Sequence, residues 1–423
     1  QRPFERWTAD DVRGTVHARF ARMAALHPDR PAVRTRRHDW SYARLQATAN
    51  RIAHALVEDY GVKPGHRVLI RSANNPAMVA CWLAATSGDA IWYWATLIVW
   101  YGIVPVLDHL LPEDASNPPP EVVPQLENDR YYRAIVYAYL PAQYLVTLLG
   151  AWIVVQGDLA VWEYAGLILT VGAINGIGIN TAHELGHKKE SVERWLSKIA
   201  LAPTFYGHFY IEHNRGHHVR VATPEDPASS RLGESFWAFW PRTVSGSLKS
   251  GWEVEAKRYK RKGTHPFHLG NDVLNAWLMS VVLFGGLVAL LGWGIAPYLL
   301  LQAVVGFSLL EVVNFLEHYG MLRQKVGPEG KQRYERVNPS HSWNSNNIVT
   351  NVFLYHLQRH SDHHANPTRR YQTLRDFKES PALPTGYAGM INLALIPPLW
   401  RKVMDHRVVE HLDGDVTLAN ILP

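Results

Sequence analysis

Apolar and polar positions are distributed unevenly along this 423-residue chain. Up to about Gly88 charged residues recur every few positions. Residues 41–57 (SYARLQATANRIAHALV) place apolar side chains at helical spacing, and Arg67–Arg71 (RVLIR) reads as a short buried strand. No apolar run follows the first charges, so no signal peptide is expected. From Ile91 the texture changes. Ile91–Leu107 (IWYWATLIVWYGIVPVL) carries no charge and approaches the length needed to cross a hydrocarbon core of roughly 30 Å. Four further runs follow: Ala134–Val155, Tyr164–Thr181, Val273–Leu291 and Trp293–Leu310. Their ends are rich in Trp and Tyr, so the pattern predicts a mainly α, polytopic transmembrane helix bundle. The stretch Gly386–Leu399 is shorter and is interrupted by Pro397 and Pro398, so it is expected at the membrane interface.

Charge sets an orientation. The segments after Ala182 and after Glu317 are rich in Lys and Arg, with Lys257–Lys262 (KRYKRK) the densest run, which places them in the cytoplasm. Counting back through the spans, the first one starts outside, and residues 1–88 fall across the membrane from the basic segments. That conflicts with their cytoplasmic texture. A further helix ahead of them, or an irregular entry through Ala77–Thr86, would resolve it. Hydrophobic residues make up 47% of the chain and charged ones only 19%, which excludes disorder, collagen and coiled coil. The single cysteine, Cys81, excludes disulfides, a four-cysteine zinc or rubredoxin-type site and an iron–sulfur cluster within the chain. A net charge of +6 is too mild to indicate a nucleic-acid partner. The 22 histidines point to chemistry.

Nine of them are grouped. His183 and His187 stand four apart directly after an apolar run, and His213 and His217 repeat that spacing with His218 beside them. His360, His363 and His364 give spacings of three and four, while His318 lies at the end of the last span. Helical neighbours three and four apart project to one side, as a metal requires of a rigid element. Nine imidazoles exceed the needs of one zinc ion and suit two ions, with iron the metal matched to oxygen chemistry. Glu184, Glu212, Glu317 and Asp362 adjoin these histidines and are expected to accept their second N–H groups. Gly172, Gly176 and Gly178 either leave room for an apolar chain or permit close helix packing.

Four stretches carry a family resemblance: 180–188 (NTAHELGHK), 212–230 (EHNRGHHVRVATPEDPASS), 314–320 (NFLEHYG) and 357–365 (LQRHSDHHA). Through them the chain from about residue 91 onward resembles the membrane-bound alkane 1-monooxygenases, which are non-haem di-iron hydroxylases. The resemblance implies six transmembrane helices and two irons held by His183, His187, His213, His217, His218, His318, His360, His363 and His364. It implies O2-dependent terminal hydroxylation of medium-chain n-alkanes or alkyl groups drawn from the bilayer, in a bacterial-type inner membrane with the metals on the cytoplasmic side. Electrons would come from rubredoxin and its reductase; the basic run Lys257–Lys262 offers a contact for that donor or for anionic membrane lipid. Residues 14–88 resemble the start of an adenylate-forming acyl-CoA ligase, through 27–33 (HPDRPAV), 40–45 (WSYARL), 49–56 (ANRIAHAL) and 61–68 (GVKPGHRV). That likeness stops before any phosphate-binding loop, so the expected division is an inactive ligase-like segment at 1–88 and a hydroxylase domain at 89–423. Alternatives are a related histidine-box desaturase, an aryl-methyl hydroxylase, or an HExxH zinc protease with Glu184 as general base.

Overall fold

The computed structural model describes residues 22–34, 39–47 and 90–422. They fall into two compact units, Gln1–Ala73 and Asn74–Pro423. In the first unit β1 (Pro31–Arg34) pairs antiparallel with β2 (Asp39–Ser41), followed by helix at 42–47. The strand expected at Arg67–Arg71, the remainder of the helix expected at 41–57 and the stretch Ala77–Thr86 lie outside the described residues.

The second unit is helical. Four of the five apolar runs form helices long and apolar enough to cross a membrane. These are α2 (Arg130–Gln156), α3 (Val161–Gly186), α7 (Asp272–Leu291) and α8 (Ala296–Glu317). The first run, α1 (90–110), is irregular: a 3-10 turn and a short α turn lead into a π-helical segment, Ile98–Ile103, before α geometry resumes at Val104–Leu110. Pro105 explains the disruption, since it has no N–H to donate to the Tyr101 carbonyl and its ring crowds that oxygen. Local chemistry fixes the other ends. Asp129 accepts the Tyr131 N–H at the start of α2, and Asn271 accepts those of Val273 and Leu274 at the start of α7. Gly292, at φ +90°, makes the reversal between α7 and α8 that a side chain would resist.

α3 is buried almost all round and forms the axis of the bundle. Its glycines serve close packing. A Cβ at Gly172 would sit 2.5 Å from the Val305 Cβ, one at Gly176 2.9 Å from the Gly306 carbonyl, and one at Gly178 2.3 Å from the Gln143 amide. A buried polar chain ties the spans together: Asn175 donates to Gln302 Oε1 at 2.7 Å, and Gln302 donates to the Pro203 carbonyl. The stretch expected at the interface has one packed part and one exposed end. Tyr387, Ala388, Met390, Ile391 and Ala394 of α10 (Tyr387–Ala394) are buried; Leu395, Ile396 and Leu399, at the junction with α11 (Pro397–His411), are exposed. Between the spans α3 and α7 lie α4 (Ser191–Leu201), α5 (209–220) and α6 (Phe236–Arg261), and α9 (His360–Ala365) follows α8. The C-terminal ends of α3 and α8 meet α5 and α9, which brings the four histidine segments to one end of the bundle.

Candidate metal centre

All nine grouped histidines converge, in two sets whose ligand nitrogens lie within 4.8 Å of one another. His183, His187, His213, His218 and His363 form one set; His217, His318, His360 and His364 form the other. In the first, Nε2 atoms approach at 2.9 Å (His183–His363), 3.1 Å (His187–His213), 3.1 Å (His213–His218) and 3.1 Å (His218–His363). In the second the distances are 3.3 Å (His217–His364), 3.2 Å (His318–His360) and 2.9 Å (His360–His364). Two nitrogens each about 2.1 Å from a metal and at right angles would stand roughly 3.0 Å apart, so these edges fit coordination polyhedra.

The partition differs from the spacing argument in two segments; in one of them His363, three positions from His360, joins the other set. The α-helical interval holds for His183 with His187 and for His360 with His364, but His213 and His217 belong to different sets. The cause is a π-helical turn, Glu212–His217, which pairs His213 with His218 and sends His217 the other way. Gly216 permits the turn, because a Cβ there would lie 2.6 Å from Glu212 Oε1. Glu212 Oε2 in turn accepts the His217 backbone N–H at 3.2 Å, and Oε1 accepts from Arg220 at 2.9 Å.

The four carboxylates expected to accept imidazole N–H groups require correction. Glu184 pairs with Lys188 at 3.0 Å and accepts the Tyr371 N–H; Glu212 is occupied as just described; Asp362 is held by Arg369 and Asn366. Adjacency in sequence turns each of these side chains away from the neighbouring ring, because consecutive helical residues do not face one another. Glu317 does touch a ligand, but on the inward nitrogen: its Oε2 lies 3.2 Å from His360 Nε2, and its Oε1 accepts from the Tyr387 hydroxyl at 3.0 Å. The carboxylate that accepts an outer N–H is Asp226, whose Oδ2 takes the His217 Nδ1–H at 2.9 Å. Sequence reasoning missed it. The available signal was the Pro-flanked turn Thr223–Pro227 directly after the ligand cluster, which folds the chain back onto it. His318 Nδ1 donates to the His341 carbonyl at 3.3 Å.

Electrostatics prepare these rings as ligands. Burial holds His187, His213, His218, His360, His363 and His364 well below the ordinary histidine range, and His318 down to about 3, so all present neutral rings. His217 differs: burial pulls it down, but the Asp226 charge and hydrogen bond outweigh that and raise it. In the metal-free protein this pair stabilises the fold below the unfolded histidine value of about 6.5, and the contribution fades as pH rises through the raised value. A metal competes with that proton, so ion uptake by the four-histidine set is expected to strengthen as pH increases, which titration of metal content against pH would check.

An apolar cavity leads to both sets. Trp100, Ile177, Leu309, Val313 and Ile391 line its length, and His183, His213, His360 and Glu317 close it. Such a space suits an unfunctionalised hydrocarbon with one end presented to the metals.

The fatty acid desaturase family profile matches residues 159–394, and the AMP-binding enzyme profile matches residues 20–95. The chain is 52% identical over 326 residues to the alkane 1-monooxygenase of Acinetobacter baylyi, covering 77% of this chain and 79% of the relative. It is 47% identical over 346 residues to alkane 1-monooxygenase 1 of Alcanivorax borkumensis, covering 82% and 85%. To the alkane 1-monooxygenase of Ectopseudomonas oleovorans it is 48% identical over 344 residues, covering 81% and 85%.

Proposed function

The chain belongs to the alkane 1-monooxygenase family, and from that premise we propose that it hydroxylates the terminal carbon of medium-chain n-alkanes at two irons, using O2. The observation that carries this reading is the apolar cavity ending on two imidazole sets. A terminal methyl offers no acidic proton and no electrophilic carbon, so side-chain acids, bases and nucleophiles have no purchase on it. Iron supplies the oxidising chemistry when bound. The protein's share is to hold five and four imidazole nitrogens in place, to exclude water, and to present one end of the chain near Glu317 and His360.

The electron donor in this reading is rubredoxin with its reductase, in keeping with a chain whose single cysteine cannot form a four-cysteine iron site. The membrane is a bacterial inner membrane with the metals on its cytoplasmic face. The support is positional: the basic segments join the same helix ends that carry the histidines. The run Lys257–Lys262 closes α6, and exposed Phe267 and Leu269 follow it just before the α7 span, an arrangement that favours anionic lipid over the donor as its contact. Residues 1–88 are read as an acyl-CoA-ligase-like segment without adenylation activity, ahead of a hydroxylase domain at 89–423; the AMP-binding match supports the likeness.

The decisive experiment supplies purified protein in lipid nanodiscs with rubredoxin, its reductase, NADH and octane. Formation of 1-octanol, with about two irons per chain, is the expected result. A desaturated product, or zinc in place of iron, would overturn the reading.

The protease alternative loses its general base, since Glu184 is engaged with Lys188 and His183 shares its set with three histidines beyond the HExxH pair. Glu184→Gln is expected to act on stability. It leaves the buried Lys188 ammonium without its counter-charge, with only the Arg369 carbonyl accepting from it at 2.8 Å, a loss of about 3 kcal/mol that a thermal melt would register.

A further inference from the structure

The cavity has a volume of about 60 Å³. An enclosed cavity that admits benzene measures roughly 150 Å³, so a medium-length alkyl chain cannot enter unless a wall yields. One wall is built to do so. Trp100 and Tyr101 of α1 and Ala388 and Ile391 of α10 line the cavity on either side of a seam. On the α1 side of that seam Ile98, Ile103 and Val106 are exposed, and they face lipid in the membrane reading. The α1 side is the π-helical segment, where regular hydrogen bonding is already broken: Val104 donates back to Val99, and Pro105 offers no N–H to the Tyr101 carbonyl. That carbonyl is instead satisfied across the seam by the Asn392 side-chain amide, at 2.8 Å.

We propose that Asn392 is a specificity-determining residue: its bond to the Tyr101 carbonyl latches the seam through which hydrocarbon passes between bilayer and cavity, and so sets how readily the wall opens for longer chains. The inference rests on the hydroxylase reading above. Of the helix pairs around the cavity, α3 and α8 are locked by glycine-mediated backbone contact, with Gly172 and Gly176 against Val305 and Gly306. The α1–α10 seam is held by a side chain on a weakened helix. An amide can release a carbonyl and return to it by rotamer change, whereas backbone packed against backbone has no such freedom.

The test works on the full chain in nanodiscs. In a Cys81→Ser background, Ala388→Cys places a thiol on the cavity wall, and its modification by octyl methanethiosulfonate is timed against that by a charged, trimethylammonium-bearing methanethiosulfonate. Adding Asn392→Leu is expected to accelerate octyl labelling about fivefold, the population change that loss of one net hydrogen bond produces, and to leave the charged reagent's rate unchanged. Asn392→Gln, which keeps the donor, should restore the slow rate. With Ala388 intact, Asn392→Leu should raise the kcat/KM for hexadecane relative to octane by a similar factor, mainly through KM. Unchanged octyl labelling in Asn392→Leu, or an equal acceleration of both reagents, would overturn the latch. Labelling needs no turnover, so a wild-type chain that makes no 1-octanol would sink the hydroxylase reading while leaving this measurement legible.

Discussion

Replacing His360 with alanine is expected to reduce octane turnover by roughly 100-fold or more and to lower iron from about two to about one per chain. His360 is the point at which the four-histidine set, the cavity and Glu317 meet. Its Nε2 lies 2.9 Å from that of His364, 3.2 Å from that of His318 and 3.2 Å from Glu317 Oε2, and the ring also lines the cavity. Truncation leaves three imidazoles in that set and removes the wall nearest the reacting end of a substrate. The five-histidine set is untouched by it. His187→Ala is the matched control, since it leaves four nitrogens in the other set; it should retain more iron and more activity than His360→Ala. Elemental analysis alongside product yield separates the two effects. If His360→Ala kept both irons, the assignment of this ring as a ligand would be wrong.

The second large effect is expected from Asp226→Asn. Asp226 is fully buried and accepts three times: from His217 Nδ1, from the Ser229 hydroxyl at 2.6 Å and from the Ala228 N–H at 3.3 Å. Its charge fixes the tautomer of His217, placing the proton on Nδ1 and the lone pair on the inward Nε2. An amide removes the charge and offers an N–H to one of these groups, so the ring loses both its orientation and its basicity. Outer partners of this kind are worth roughly 10- to 100-fold in metal affinity. Loss of iron from the four-histidine set, recoverable with excess Fe(II), is the expected result. Recovery distinguishes weakened binding from misfolding, and full iron occupancy at stoichiometric Fe(II) would falsify the role given to Asp226.

Much of this protein is legible in the order of its residues. The spans follow from apolar runs, because a bilayer imposes length and composition on any helix that crosses it. The grouped histidines follow from spacing and from their place at the ends of those runs. The resemblance to a family of hydroxylases rests on short stretches that include every one of the nine grouped histidines. None of this requires knowledge of which side chains meet.

What the sequence left undecided concerns direction. The i, i+4 rule put His213 with His217, and a single π turn reversed it. That turn depends on Gly216 leaving space for Glu212 and on Arg220 holding the carboxylate there, a packing arrangement that spacing does not encode. Asp226 lies nine positions from His217 and reaches it only because an intervening turn folds back. Glu317 and Asn392 gain their meaning from partners 43 and 291 positions away, His360 and the Tyr101 carbonyl. Local hydrogen bonding and the solvent fix which segments are helical and where they lie, and so these are written along the chain. Which face of a helix meets which partner is set by close packing among distant segments, and only the folded protein decides it.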